Sequence, residues 1–190
     1  MSGKKKGNKS VLLLLLLVVA VAGLGLYRYG PEYLDLNLGS KKSDPNAFYT
    51  MALKAQEKGN DPQAIEYYEK FLTAQAQTPG SKNPHIAHAN VNIGKIYLKE
   101  LKYKKAMPYL VKAADFASAN LEPNSTDAAD TFYVVAAAYD QQGEVQPALD
   151  YYKKYRTIQD GLGQDTSKVD KDIEGLENYI MAAKHEKVGS

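Results

Sequence analysis

Two histidines, His85 and His88, stand three residues apart. On a helix that spacing puts both on one face, where they could share a metal ion. A metal site needs further ligands, and no carboxylate or third ligand lies near them in the sequence. They read as solvent-facing or groove-facing side chains, and no metal or cofactor is expected. Gly161-Leu162-Gly163 lacks the strand before it and the pattern after it that a phosphate-binding loop requires. No arrangement of Ser, His and Asp stands out for nucleophilic catalysis. The chain has no Cys, which excludes disulfides, thiolate metal sites and a lipid anchor on cysteine. Asn124-Ser125-Thr126 fits a glycosylation acceptor, which has meaning only in a eukaryotic lumen. Without convergent polar groups no catalytic residue is assigned, and no enzyme activity or small-molecule substrate is expected.

The side chains that remain chemically expressive are 15 tyrosines in a chain of 190 residues without Trp. Their placement follows from a repeat. Ala64, Ala106 and Ala148 are spaced 42 and 42 residues apart. Each is followed four residues later by a large side chain, Tyr68, Leu110 or Tyr152. Phe71, Ala113 and Tyr155 come three residues after that. The spacing i, i+4, i+7 marks one helix face. Upstream of each lies a partner helix with its own stripe. These stripes are Phe48, Met51, Ala52 and Ala55; Asn90, Ile93, Gly94 and Tyr97; and Phe132, Val135, Ala136 and Tyr139. The small members Ala52, Gly94 and Ala136 recur at the same period and are expected to face the recurring Ala, letting two helix axes approach. Turns fall at Lys58-Gly59-Asn60, Glu100-Leu101-Lys102 and Gln142-Gly143-Glu144, with Gly59 and Gly143 suited to ending a helix. Pro62, Pro108 and Pro147 are expected in the first turn or so of each second helix, where proline is tolerated. On these stripes Tyr68, Tyr97, Tyr139 and Tyr152 are core residues, whereas Tyr49 and Tyr133 fall on the other side of the first helices. Val169, Ile173, Leu176 and Ile180 outline one more amphipathic helix from Ser167 to about Lys184, a cap for the stack with a polar outer face. The tail from His185 is expected to fray.

The segment NVNIGKIYLKELKYKKAMPYLVKAA, with Gly94, Tyr97, Ala106 and Ala114 at the signature places, resembles the tetratricopeptide repeat family. The resemblance covers about Asp44 to Gly163. The common repeat is roughly 34 residues, and the longer period here is similar to the subtype found in kinesin light chains. Departures are Ala55 where Tyr is usual, and Phe71 and Tyr155 where Ala is usual. The resemblance implies an all-α solenoid of three repeats with a concave groove, lined by the first helices, in which partner peptides lie. Carried over by position, the groove residues are Asn46, Tyr49, Leu53 and Gln56 from unit one; His88, Asn92, Lys95 and Lys99 from unit two; and Tyr133, Ala137 and Asp140 from unit three. Some relatives capture a terminal carboxylate with Lys and Asn in the first groove. Tyr49 and Leu53 stand in those places here, which argues against a carboxylate clamp.

The N-terminal part has a different character. Residues 1–10 carry Lys4, Lys5, Lys6 and Lys9 and no acid, a basic tail of +4. With a total formal charge of +2, the rest of the chain sums to −2, a poor match for nucleic acid. Residues 11–27 form an apolar run that includes Leu12 to Leu17. As a helix it spans about 25 Å, the short end of what a bilayer core of roughly 30 Å requires. Two readings stand. One is an uncleaved transmembrane anchor contacting membrane lipid. The other is a secretory signal cleaved after Ala20-Val21-Ala22. The apolar run continues past Ala22 to Leu26, which favours the anchor; a polar face, needed for a half-exposed helix, is missing. Both leave the lysines in the cytoplasm and the body on the periplasmic, lumenal or intermembrane side. Residues 28–43 read as a linker, whose Leu34-Asp35-Leu36-Asn37-Leu38 alternation either lays leucines on the first repeat or the bilayer surface, or docks a partner as a strand. The domain order is then tail 1–10, anchor 11–27, linker 28–43, repeats 44–163, and cap and tail 164–190. The expected function is a membrane-anchored scaffold or adaptor for a protein or peptide partner, a membrane-complex subunit in the leading form. The alternative is a periplasmic chaperone or assembly factor for exported proteins.

Overall fold

The computed structural model describes residues 44–188. The basic tail, the apolar run 11–27 and the linker to residue 43 lie outside the described residues. Those described form helices α1 (Pro45–Glu57), α2 (Asp61–Ala76), α3 (His85–Lys99), α4 (Tyr103–Asn120), α5 (Thr126–Asp140), α6 (Val145–Gly161) and α7 (Ser167–Val188). Among the described residues there is no strand. Packing is closest within the pairs α1/α2, α3/α4 and α5/α6. Each hairpin then leans on the next through α2/α3, α4/α5 and α6/α7, and α3 also touches α5. Among the described residues no helix is long and apolar enough to cross a membrane.

The three hairpin turns use one hydrogen-bond pattern. Asn60 N–H donates to Ala55 O, Lys102 N–H to Tyr97 O, and Glu144 N–H to Tyr139 O, at 2.9, 2.9 and 3.0 Å. This closing bond, together with one left-handed residue, satisfies carbonyls that a helix end otherwise orphans. The left-handed residues are Gly59 (φ 72), Leu101 (φ 56) and Gly143 (φ 74), again 42 residues apart. Starts are capped where the sequence offers a cap. Asn60 Oδ1 accepts from Gln63 N–H, and Ser125 Oγ accepts from Ala128 N–H. Ser125, the middle of the glycosylation-like triplet, therefore serves as a helix cap. Pro62 and Pro147 sit in the first turn as expected, but Pro108 does not. It is the sixth residue of α4, inside the helix, where its missing N–H frees the Lys104 carbonyl. Pro108 is solvent-exposed, so water can take that carbonyl's bond.

The core follows the repeat. Ala52, Ala64, Ala106, Ala136 and Ala148 are fully buried. Gly94 is buried against α4: a Cβ there would overlap Leu110 Cδ2 and lie 2.6 Å from its Cγ. Its immediate neighbour is thus Leu110, one turn beyond the recurring Ala106. Three apolar clusters run along the stack. The first joins α1, α2 and α3 around Tyr68, Phe71 and Ile93. The second joins α4, α5 and α6 around Leu110, Phe132 and Val135. The third joins α5, α6 and α7 around Tyr152, Val169 and Ile173. Leu176 and Ile180 pack on the last cluster, so the α7 stripe is the one the spacing marks. The helix itself continues past Lys184 to Val188, longer than expected.

Candidate functional site

A cleft of about 220 Å³ is lined by residues of the first helices α1, α3 and α5. Tyr49 comes from α1. Val91, Asn92, Lys95 and His88 come from α3, and Asp130 and Thr131 from α5. Four of the carried-over groove residues, Tyr49, His88, Asn92 and Lys95, thus meet in one place.

Their roles differ. Lys95 is exposed, and it shares the cleft lining with the exposed carboxylate Asp130. His88 is half-buried, and its Nε2 lies 3.2 Å from Asp127 Oδ1 of α5. The sequence offers no carboxylate beside His88; the stack brings one from the next unit. Asn92 is half-buried, and its Nδ2 donates to the Tyr68 hydroxyl at 2.9 Å. That hydroxyl in turn donates to Gln56 Oε1 at 2.9 Å, so one relay runs through α3, α2 and α1. Burial of Tyr68 pushes its phenol up to about 12, which keeps it neutral and able to donate.

Tyr49 corrects the expectation. It is 9% exposed and belongs to the core, not to an open groove wall. Its ring is 5.4 Å from Phe71, 5.8 Å from Tyr68 and stacked at 4.2 Å on His85. Burial raises its phenol pKa, with the nearby Asp127 charge adding to the effect. His85 is held below its ordinary value, first by burial and then by His88, with Asp127 pulling the other way. The two histidine rings are 6.1 Å apart. Among the described residues no group of three or more His, Cys, Asp or Glu is placed to hold a metal ion.

The other carried-over residues lie outside this cleft. Gln56 is held in the relay. Lys99 reaches back to Asp61 Oδ2 at 3.0 Å, tying unit two to the start of α2. Leu53 is 36% exposed on α1, and Asn46 Oδ1 accepts from Asn83 of the connector. Tyr133 is half-buried, 5.0 Å from Tyr155, and its hydroxyl accepts from Lys168 of α7 at 3.3 Å. Ala137 is half-buried and Asp140 exposed. Sequence reasoning missed Asp130, Val91 and Thr131. The period points to two of them. Asp130 is 42 residues after His88, and Val91 is 42 after Tyr49. The same register explains Tyr49: its counterpart Val91 is buried, and Tyr133 is partly so.

The arrangement offers an exposed cation and carboxylate, Lys95 and Asp130, beside the half-buried polar groups of His88 and Asn92, which suits the holding of a polar peptide segment. It contains no nucleophile paired with a base. Comparison with known proteins agrees on the fold. Residues 85–160 match the model of the family described as tetratricopeptide repeat. No curated protein sequence matches the chain. Among solved structures, BtubC (BKLC) from P. vanneervenii is 19% identical with a TM-score of 0.61, covering 88% of this chain and 76% of that one. The nearly identical TPR-like repeats of a Podosopora anserina protein described as a kinesin light chain are 18% identical with a TM-score of 0.56, over 70% and 67% of the two chains. The TPR2B domain of yeast Sti1, in a complex with pHsp70, is 16% identical with a TM-score of 0.52, over 71% and 97%. At such identities the likeness is one of fold. The chain is therefore similar to tetratricopeptide repeats over residues 85–160, and its described helices form an all-α tetratricopeptide solenoid.

Proposed function

We propose that this chain is a membrane-anchored scaffold that holds a protein or peptide partner in the cleft between α1, α3 and α5. The observation that carries the reading is the gathering of His88, Asn92, Lys95, Asp130 and Thr131, from successive units, around one concavity. A cation beside a carboxylate and an amide favours an extended polar segment over an apolar one. The membrane part rests on the sequence alone, on the lysines before the apolar run 11–27. Anchoring raises the effective concentration of the cleft near membrane partners without adding a contact. A subunit of a membrane complex is the partner this arrangement serves best, with the repeats on the periplasmic, lumenal or intermembrane side.

The test is an affinity pull-down of the full chain from detergent-solubilised membranes, beside carbonate extraction of the same membranes. The chain should stay in the carbonate pellet and bring down one partner in stoichiometric amount. Lys95→Glu should release that partner without changing the melting temperature. A soluble chain beginning at Gly23 overturns the anchor. Many weak clients in place of one partner would favour a chaperone, and a partner indifferent to Lys95→Glu does not use the cleft.

A further inference from the structure

The first turn of α3 carries His85 and His88, and the two rings meet different neighbours. His85 meets unit one. Its ring lies nearly parallel on Tyr49 of α1 at 4.2 Å and edge-on to Phe71 of α2 at 6.5 Å. Its Nδ1 is buried, and among the described residues it has no hydrogen-bond partner. In an imidazolium both nitrogens are donors, so a charged His85 would hold a buried N–H with no acceptor, which is costly. His88 meets unit three. Its Nε2 lies 3.2 Å from Asp127 Oδ1 in the first turn of α5, a contact that becomes an ion pair only when the ring is protonated. The two rings are 6.1 Å apart, so charge on one opposes charge on the other. The remaining charged or titratable groups around the pair are Tyr49, with Tyr68 of α2 behind it, Lys95 on α3, and Asp130 of α5. α4 also packs on α3, but among the described residues it gives neither ring an ion pair or a ring contact.

We propose that the two histidines form a pH-operated coupling, in which mild acid fastens α3 to α5 through His88 and Asp127 and loosens α3 from α1 through His85 and Tyr49. A proton arriving at His88 is received by a carboxylate; one arriving at His85 is received by nothing. Burial holds His85 below its ordinary 6.5, so its neutral ring rests on Tyr49 at neutral pH. That hold weakens as pH falls through 6.5 toward the folded value. The middle unit thus shifts its grip from one neighbour to the other. Tyr49 and His88 both line the cleft between α1, α3 and α5, so the shift acts on two of its walls. Control of partner holding by pH rests on the reading of that cleft as the holding site; the coupling itself does not.

Hydrogen–deuterium exchange reads the two seams separately and needs no partner. The full chain in nanodiscs of neutral lipid is compared at about pH 7.5 and about pH 5.5, with the intrinsic exchange rate corrected. On acidification, protection of α1 should fall at least about threefold, and protection of the first two turns of α5 should rise. His88→Gln should abolish the rise in α5 and leave the fall in α1. His85→Phe should abolish the fall in α1 and leave the rise in α5. Asp127→Asn should match His88→Gln at α5. Melting curves identify any variant that fails to fold, and the unmodified chain alone decides the sign. Both seams changing in the same direction, or either seam not responding, overturns the proposal. So does a response that survives His85→Phe combined with His88→Gln. The pull-down with Lys95→Glu tests the cleft instead: opposed seams without a partner leave the coupling and remove the scaffold, and a retained partner with unresponsive seams does the reverse.

Discussion

The ring of Tyr49 lies 5.4 Å from that of Phe71, and two units later Tyr133 lies 5.0 Å from Tyr155. The positions correspond: 49, 91 and 133 on first helices, 71, 113 and 155 on second ones. In the middle unit they hold Val91 and Ala113, both smaller and both buried. Large side chains stand where their partner positions are large, and small where they are small. Cores tolerate such paired changes because total volume, not identity at one place, decides whether helices close. The bulky residues that depart from the family pattern are thus matched within their own units.

Tyr49→Ala should be strongly destabilising. It removes contacts with Phe71, Tyr68 and the stacked His85 at once. Truncation of a buried aromatic costs about 3–5 kcal/mol. Urea denaturation of the full chain, followed by circular dichroism, measures it. A loss under about 1 kcal/mol would mean that the ring is not part of the core.

Gly94 should resist substitution in order of size. Gly94→Ala gains about 1 kcal/mol of helix propensity but meets Leu110, which is fully buried and has little room to yield. Overpacking costs about 1–3 kcal/mol, so Ala should come out neutral to destabilising and Leu clearly worse. The midpoints of thermal melts should rank Gly, Ala, Leu. Any other order refutes the close approach of α3 to α4.

Leu101 should be improved by glycine. It alone among the described non-glycine residues has a positive φ, and it is 71% exposed, so its side chain earns little from burial. The left-handed conformation costs an L-residue about 1–2 kcal/mol, of which glycine's greater unfolded-state freedom takes back about 0.5–1. Leu101→Gly should raise stability by about 0.5–1 kcal/mol, and Gly143→Leu should lower it by a similar amount. Chemical denaturation of both variants settles the sign.

Acidification should weaken the packing of α3 against α1 through His85. Its folded pKa is lowered below 6.5, so the unfolded chain takes up the proton first. The neutral form contributes fully above the unfolded value, and stability falls as pH drops through 6.5 toward the folded pKa. His88 faces it on α3, Tyr49 on α1 and Asp127 on α5. His85→Phe keeps a ring against Tyr49 and removes the titration. Melting temperatures taken from about pH 7.5 to 5.5 should fall less steeply in the variant. Parallel slopes would assign the effect to another group.

The helical stripes and the hairpin turns of the three units are legible in the sequence because a strict period of 42 exposes the same face three times, and the α7 stripe is legible from its own helical spacing. The face of Tyr49 is less legible. A tyrosine suits a core and a groove wall alike, and only its counterpart Val91, an aliphatic residue with no reason to face solvent, shows which it is. The His88–Asp127 pair is not legible at all, since it depends on how far α5 slides along α3. The seat of Lys154 over the rings of Tyr151 and Phe132 is hidden for a similar reason: Tyr151 and Lys154 are neighbours on α6, but Phe132 arrives from α5.

Each of the three apolar clusters spans neighbouring helices, so the hairpins form a row of links in which each is held by the next, as in other repeat stacks. The cleft described above straddles three such links. Whatever lies across α1, α3 and α5 works as a splint, and the free energy of its grip is also resistance to twisting. The relay from Asn92 through Tyr68 to Gln56 already ties the first two of those links from within.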